Sequence, residues 1–278
     1  RMAHTWLILL LPVGGIVIVT VYKLLHNEND KGTNLILAGI HSGGEVPSRV
    51  APLIIFSTVV SHFFGASVGR EGAALQLGGS LGNLIGRIVR LDEQDRKVMI
   101  MCGMSAAFAA LFGTPMAAAI FAIEVVQVGI MYYAALVPCI FAALVASNFS
   151  ASMGINPEAF VIKEIPDITI LNMGRTVLLA IICAGVSVVF CMMLQNAGKY
   201  FKKYINNQYL RIIVGSALII LITIILGTDD YMGAGMNVIE RAIEGEAAPA
   251  AFLLKMFLTA LAIGCGFKGG EIVPTFFV

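Results

Sequence analysis

An arginine and a glutamate side by side in the middle of apolar sequence constrain this chain more than any other feature. They stand in Gly65-Ala66-Ser67-Val68-Gly69-Arg70-Glu71-Gly72-Ala73-Ala74-Leu75-Gln76-Leu77-Gly78-Gly79-Ser80, with no charge between Arg49 and Arg70 and none between Glu71 and Arg87. A charge at membrane depth costs roughly 2.5 kcal/mol or more on insertion scales, so it is kept where it faces a cavity, a partner or a substrate path. Glycines on both sides let the backbone turn and expose its N–H groups before Ala73 onward continues as a helix. The bare amides of a helix start attract anions. Glu71 is therefore a carboxylate standing where a small anion could also stand.

The surroundings fix the solvent. With 58% hydrophobic and 13% charged residues and a mean hydropathy of +0.89, the chain holds about half the charge of a soluble domain and is an all-α polytopic membrane protein. A net charge of +1 and the lack of a basic, aromatic-interleaved patch exclude nucleic acid as a partner. Cys102, Cys139, Cys183, Cys191 and Cys265 lie in apolar stretches without CxxC spacing and are expected to be buried small hydrophobes. His4 and His62 have no ligand-spaced partners, so neither metal nor cofactor is expected. Lys255, near the start of a short apolar segment, is expected to snorkel to an interface. Beginning at Arg1 and stopping in mid-segment at Val278, the sequence reads as an internal fragment.

Taken in order, Trp6–Tyr22 is a first span, followed by a polar, loop-like stretch over 23–49 that holds a short apolar run opening with Gly32-Thr33-Asn34. Val50–Gly69 is the second span. Residues 72–86 are too short to be a full one and lead to Arg87, Arg90, Arg96 and Lys97, so this helix starts inside the membrane. Gly113-Thr114-Pro115 divides charge-free Val98–Ile123 into two pieces of about a dozen residues. A charge-free run over 125–157 ends in an acidic loop with Glu158, Lys163, Glu164 and Asp167; Thr176–Gly198 and Ile212–Thr228 are further spans. If the short helices form out-and-back pairs, the basic loops at 23–49, 87–97 and 199–211 share one side, the cytoplasmic one.

The chain also repeats itself. Gly32-Thr33-Asn34-Leu35-Ile36 matches Gly235-Met236-Asn237-Val238-Ile239, Phe56-Ser57-Thr58 matches Phe257-Leu258-Thr259, and Glu71 is echoed by Glu271, at offsets of 203, 201 and 200 residues. The expected organisation is a first inverted-repeat half in 1–150 and the truncated start of a second in 170–278. Inverted repeats with glycine-interrupted short helices point to a transporter whose site lies at the repeat interface.

Gly69-Arg70-Glu71-Gly72, continued by Gly-Ala-Ala-Leu-Gln-Leu-Gly-Gly-Ser-Leu-Gly-Asn over 72–83, resembles the first signature of the CLC family of chloride channels and anion/proton antiporters. Phe112-Gly113-Thr114-Pro115-Met116-Ala117, Phe121-Ala122-Ile123-Glu124 and Gly269-Gly270-Glu271-Ile272-Val273-Pro274 extend the resemblance along the whole chain. It implies a CLC-type inverted-repeat fold with broken, re-entrant helices, a homodimer in a bacterial plasma membrane, and a halide and protons as partners besides the lipid. It makes Glu71 the gate and proton carrier. The implied anion contacts are Gly32, Thr33, Asn34, Gly69, Arg70, Gly72, Ala73, Gly270, Ile272 and Val273.

Two departures sharpen this expectation. Val125 stands where chloride exchangers carry an inner glutamate, and Glu271 replaces an apolar residue of the second signature; the combination resembles the fluoride/proton antiporter branch, with Glu271 as a proton or anion relay. That branch tends to have threonine where this chain has Val273, and Thr33 stands where a serine hydroxyl usually contacts the central anion. The reading is a fluoride-favouring anion/proton antiporter, the alternative a voltage-gated-type chloride channel or chloride/proton exchanger. An Arg70–Glu71 pair that only stabilises a helix junction, and a structural Lys268–Glu271 pair, stay open. An intramembrane enzyme using both glutamates would be expected to show a nucleophile, metal set or cofactor lysine beside them, and the sequence offers no Ser/His/Asp set or HExxH.

Overall fold

The structure is a computed structural model that describes residues 5–27, 32–42, 46–126, 129, 131–155, 157, 167–246 and 248–278. In chain order the helices are α1 (Leu11–Leu24, entered through a 3-10 stretch at Thr5–Leu10), α2 (Thr33–Ser42), α3 (Val50–Phe63), α4 (Glu71–Ile88), α5 (Glu93–Phe112), α6 (Pro115–Glu124), α7 (Leu136–Ser152), α8 (Ile170–Tyr204), α9 (Gln208–Leu226), α10 (Met236–Ile243), α11 (Ala251–Cys265) and α12 (Ile272–Phe277). Among the described residues four helical stretches are long and apolar enough to cross a membrane: Trp6–Leu24, Tyr133–Ser152, Ile170–Tyr204 and Gln208–Leu226. The acidic loop with Glu158, Lys163 and Glu164, together with His4, lies outside the described residues.

The expected break at Gly113-Thr114-Pro115 is present. Gly113 takes φ 66° to end α5, and Pro115 opens α6, where its missing N–H costs nothing. The start of α5 departs from expectation: it begins at Glu93, not Val98, and runs for 20 residues. Asp92 caps it by accepting the Asp95 N–H at 2.8 Å, and Glu93 pairs with Lys97 at 3.1 Å, so Arg96 and Lys97 belong to the helix and not to a loop.

The chain forms two compact units. One gathers residues 21–57 and 70–159. Within it α4 lies along α5 so closely that a Cβ at Gly78 would collide with the Gly103 carbonyl, and one at Gly82 with the Met99 carbonyl. Small residues at such crossings are how membrane helices gain van der Waals contact without a hydrophobic drive between them. Hydroxyls fasten α7 to α5: Ser105 donates to Cys139 O at 3.0 Å and Ser150 to Ala110 O at 3.2 Å.

The other unit gathers residues 1–20, 58–69 and 160–278. Here α11 packs against α8, α9 and α12, with Gly264 set against Ala197 and Gly215 against Cys265. Tyr231, Val238, Ala251 and Leu258 form a buried cluster that seats α10 on α11. By contrast α8 is 35 residues long and buries only Phe190. Its Cys183 and Cys191 are exposed, against expectation, whereas Cys102, Cys139 and Cys265 are buried; all five are free. Apolar sequence implies a core only where water is the solvent, and α8 is long and apolar enough to cross a membrane.

Candidate functional site

After α3 ends, Gly65 turns the chain at φ 85° and the Ala66 N–H returns to Ser61 O at 2.9 Å. The run Ala66-Ser67-Val68-Gly69 is buried throughout. At its end Gly69 and Gly270 exchange both backbone hydrogen bonds, each 2.6 Å, as an isolated antiparallel bridge. Only glycine fits at 269, because a Cβ there would lie 2.5 Å from Val68 Cγ2 and 2.9 Å from Gly69 O. The bridge lies within the unit of residues 1–20, 58–69 and 160–278, and two residues beyond Gly270 the chain enters α12.

Arg70 is the N-cap of α4 without a side-chain cap bond, and it is exposed. Glu71, the first helical residue, is fully buried, and Gly72 and Ala73 behind it are buried too. The Ala74 N–H reaches back to Arg70 O at 3.0 Å, and residues 71–73 make the first turn, the positive end of the dipole, of an 18-residue helix. Glu271 is the N-cap of α12 and is exposed, with its carbonyl accepting from the Thr275 N–H at 2.9 Å and hydroxyl at 2.7 Å. Val273 is buried and Ile272 half-buried. Glu124 ends α6 on its exposed side, and Val125 caps it.

In the unit that holds Glu71, Gly32 takes φ 61° and α2 starts at Thr33. Thr33 is half-buried and Asn34 exposed. Gln76 of α4 brings its Nε2 within 3.8 Å of where a Cβ on Gly32 would be. That side chain is 2% exposed, and its Oε1, like Ser80 Oγ one turn later, has no hydrogen-bond partner among the described residues. Gln76 lies inside the signature stretch, yet the sequence reading gave it no role. A lone amide between Leu75 and Leu77 was the available signal.

The counterpart Gly235 takes φ 81° and caps α10. A cavity of about 190 Å³ lies here, lined among others by His62, Asp229, Asp230, Gly233 and Gly235. Asp230 accepts from Arg241 at 2.7 Å, and that hydrogen bond raises the guanidinium above its ordinary pKa. Lys255 does not snorkel. It is fully buried, and it donates to Gly233 O at 2.6 Å and to Tyr231 O and Ser67 Oγ at 3.1 Å each. Its partners come from other elements, which its own helix's pattern does not reveal.

Known proteins share this arrangement. A chloride/fluoride channel protein of Pseudomonas syringae pv. tomato is 38% identical over 285 residues, covering 100% of this chain and 63% of that protein. An H(+)/Cl(-) exchange transporter of Vibrio cholerae is 27% identical over 237 residues, covering 81% of this chain and 50% of that protein. The chain thus spans between a half and two thirds of the length of these relatives. The crystal structure of a CLC-type fluoride/proton antiporter matches with a TM-score of 0.93 at 33% identity, over 98% of this chain and 69% of that one. A slow cyanobacterial Cl-/H+ antiporter matches with a TM-score of 0.79 at 19% identity, over 97% and 65%, a likeness of fold. The profile of voltage gated chloride channels matches residues 13–278. With its glycine-flanked Glu71, its broken helices and this agreement in sequence and fold, the chain belongs to the voltage-gated chloride channel, or CLC, family of membrane transporters and channels.

Proposed function

We propose that the protein carrying this chain exchanges a halide for protons, fluoride ahead of chloride, with Glu71 as the gate. The observation that carries this reading is the full burial of the Glu71 side chain in the first turn of α4, at the positive end of its dipole. Deprotonated, its carboxylate competes with a halide for the same amides. Protonated, it loses that attraction and leaves with its proton. The proposed anion contacts are Gly32, Thr33, Asn34, Gly69, Arg70, Gly72, Ala73, Gly270, Ile272 and Val273. Glu271 is the proposed relay in place of the inner acid that Val125 replaces.

Fluoride is favoured because the relatives named above include a chloride/fluoride channel protein and a fluoride/proton antiporter, and because this chain places an acid in its second signature. Val273, where that branch tends to have threonine, keeps a chloride exchanger or channel as the second reading. The proposed assembly is a homodimer in a plasma membrane, basic loops inside, built from a first repeat in 1–150 and the start of a second in 170–278. The left-handed glycines before both α2 and α10 support that division.

The test is Glu71→Gln in the whole protein, reconstituted in liposomes. Proton movement driven by an anion gradient is expected to vanish. Coupled proton uptake at the parental rate would overturn the assignment.

A further inference from the structure

The run 66–69, the loop 229–235 and α11 meet at one ammonium group. We propose that Lys255 is a tethered cation: its Nζ fills an oxygen cage of the kind that otherwise holds a small free cation, and the cage is held in shape by being filled. Among the described residues Nζ donates to Gly233 O at 2.6 Å, to Tyr231 O at 3.1 Å and to Ser67 Oγ at 3.1 Å. An ammonium offers three N–H donors and a neutral amine two, so the arrangement matches the charged form. Ser67 commits its own proton to Tyr231 O at 2.8 Å, which leaves its oxygen free to accept from Lys255. The Phe277 ring centroid, 5.7 Å from Nζ, presents a face that also favours a cation.

Two carbonyls and a hydroxyl are hard ligands, the set that suits alkali and ammonium ions. Gly233 and Gly235, at φ 55° and 81°, make the loop inexpensive to deform, so the oxygens need a positive charge to keep them converging. The Gly233 N–H donates to Ala66 O at 3.1 Å, tying the loop to the run that ends at the Gly69–Gly270 bridge. Lys255 is thus a positioning residue for that bridge. The neighbouring cavity, with Asp229 and Asp230 on its wall and Gly233 shared with the cage, gives a small cation a way in once the lysine is shortened. None of this depends on which ion the protein carries.

The experiment uses the whole protein in detergent, as Lys255→Ala, which empties the cage, and Lys255→Met, which keeps the stem and removes the charge. Hydrogen exchange at Gly233 and the thermal midpoint are read in ethylammonium chloride and in tetramethylammonium chloride at equal ionic strength. In tetramethylammonium, Lys255→Ala is expected to exchange Gly233 at least about tenfold faster than the parent. Ethylammonium, which restores an –NH3+ to the space vacated, should return the parental rate and midpoint, and Lys255→Met should not respond. Recovery of folded Lys255→Ala only in ethylammonium counts as the same rescue. Parental protection of Lys255→Ala without ethylammonium would overturn the proposal. So would equal effects of the two salts, a response of Lys255→Met, or failure to recover folded Lys255→Ala even in ethylammonium.

Discussion

Replacing Gly269 by alanine adds one methyl group where the two signature stretches touch. The new Cβ would lie 2.5 Å from Val68 Cγ2, 2.6 Å from Val68 Cβ and 2.9 Å from Gly69 O. Val68 is fully buried and β-branched, so it has little rotamer freedom to yield. The Gly69 carbonyl is held by the Gly270 N–H at 2.6 Å, so relief requires the bridge itself to part. Two reciprocal hydrogen bonds are worth roughly 0.5–1.5 kcal/mol each, and overpacking costs typically about 1–3 kcal/mol, so the expected loss is about 2–6 kcal/mol. At about 2–4 °C per kcal/mol for a chain of this order, the thermal midpoint of the whole protein should fall by about 4–24 °C. Anion efflux from proteoliposomes should slow with it. Val68→Gly removes both side-chain contacts, and in the double variant the losses should sum to at least about 1 kcal/mol less than the singles predict. A parental midpoint for Gly269→Ala, or losses that simply add, would refute the claim that this approach holds the signatures together.

Fluoride efflux from loaded liposomes should exceed chloride efflux by at least about tenfold, a barrier difference of about 1.4 kcal/mol; equal rates would favour the chloride reading. Glu271→Gln should slow fluoride/proton exchange far more than Glu124→Gln does, with unchanged size-exclusion profiles, and the reverse order would move the relay to α6. Gln76→Met removes a buried amide whose Oε1 has no partner among the described residues while nearly conserving volume, so the thermal midpoint should hold or rise as halide turnover falls. A midpoint lowered as much as by Gly269→Ala would assign Gln76 to packing alone.

Local chemistry made the broken helices legible. Gly113, Thr114 and Pro115 end one helix and start another through their own backbone preferences, and Gly69 and Glu71 announce a helix start by standing together in apolar sequence. What stayed hidden was set elsewhere. Arg96 and Lys97 suggest a loop because charge is costly in a membrane, whereas the Asp92 cap starts α5 at Glu93, five residues before Val98. Lys255 suggested an interface because its ligands, Ser67, Tyr231 and Gly233, belong to other elements and no periodicity within α11 points to them. Thr33 and Glu71 were recognised by type, whereas Gln76 beside Gly32 required the packing of α2 on α4. The bridge between Gly69 and Gly270 is a pairing of residues far apart in the chain, and the match of Glu71 with Glu271 indicates equivalence without indicating a bond.

The length of α8 bears on how the protein meets membranes of different thickness. At 1.5 Å per residue its 35 residues extend about 52 Å, against a hydrocarbon core of about 30 Å. The charge-free centre over 176–198 fills that core, and the turns beyond it carry Lys199, Tyr200, Lys202, Lys203 and Tyr204, residues that anchor at headgroup level. Tyr200 and Tyr204 stack at 6.5 Å, and the Lys203 ammonium lies 5.8 Å from the Tyr204 ring. A leaflet a few ångströms thicker therefore slides along a graded series of anchors. Its neighbour α9 has no such reserve: 19 residues reach about 28 Å and stop abruptly at left-handed Gly227, just before Asp229 and Asp230. A change in thickness that α8 can meet along its length is thus one that α9, ending at Gly227, has to meet by tilt.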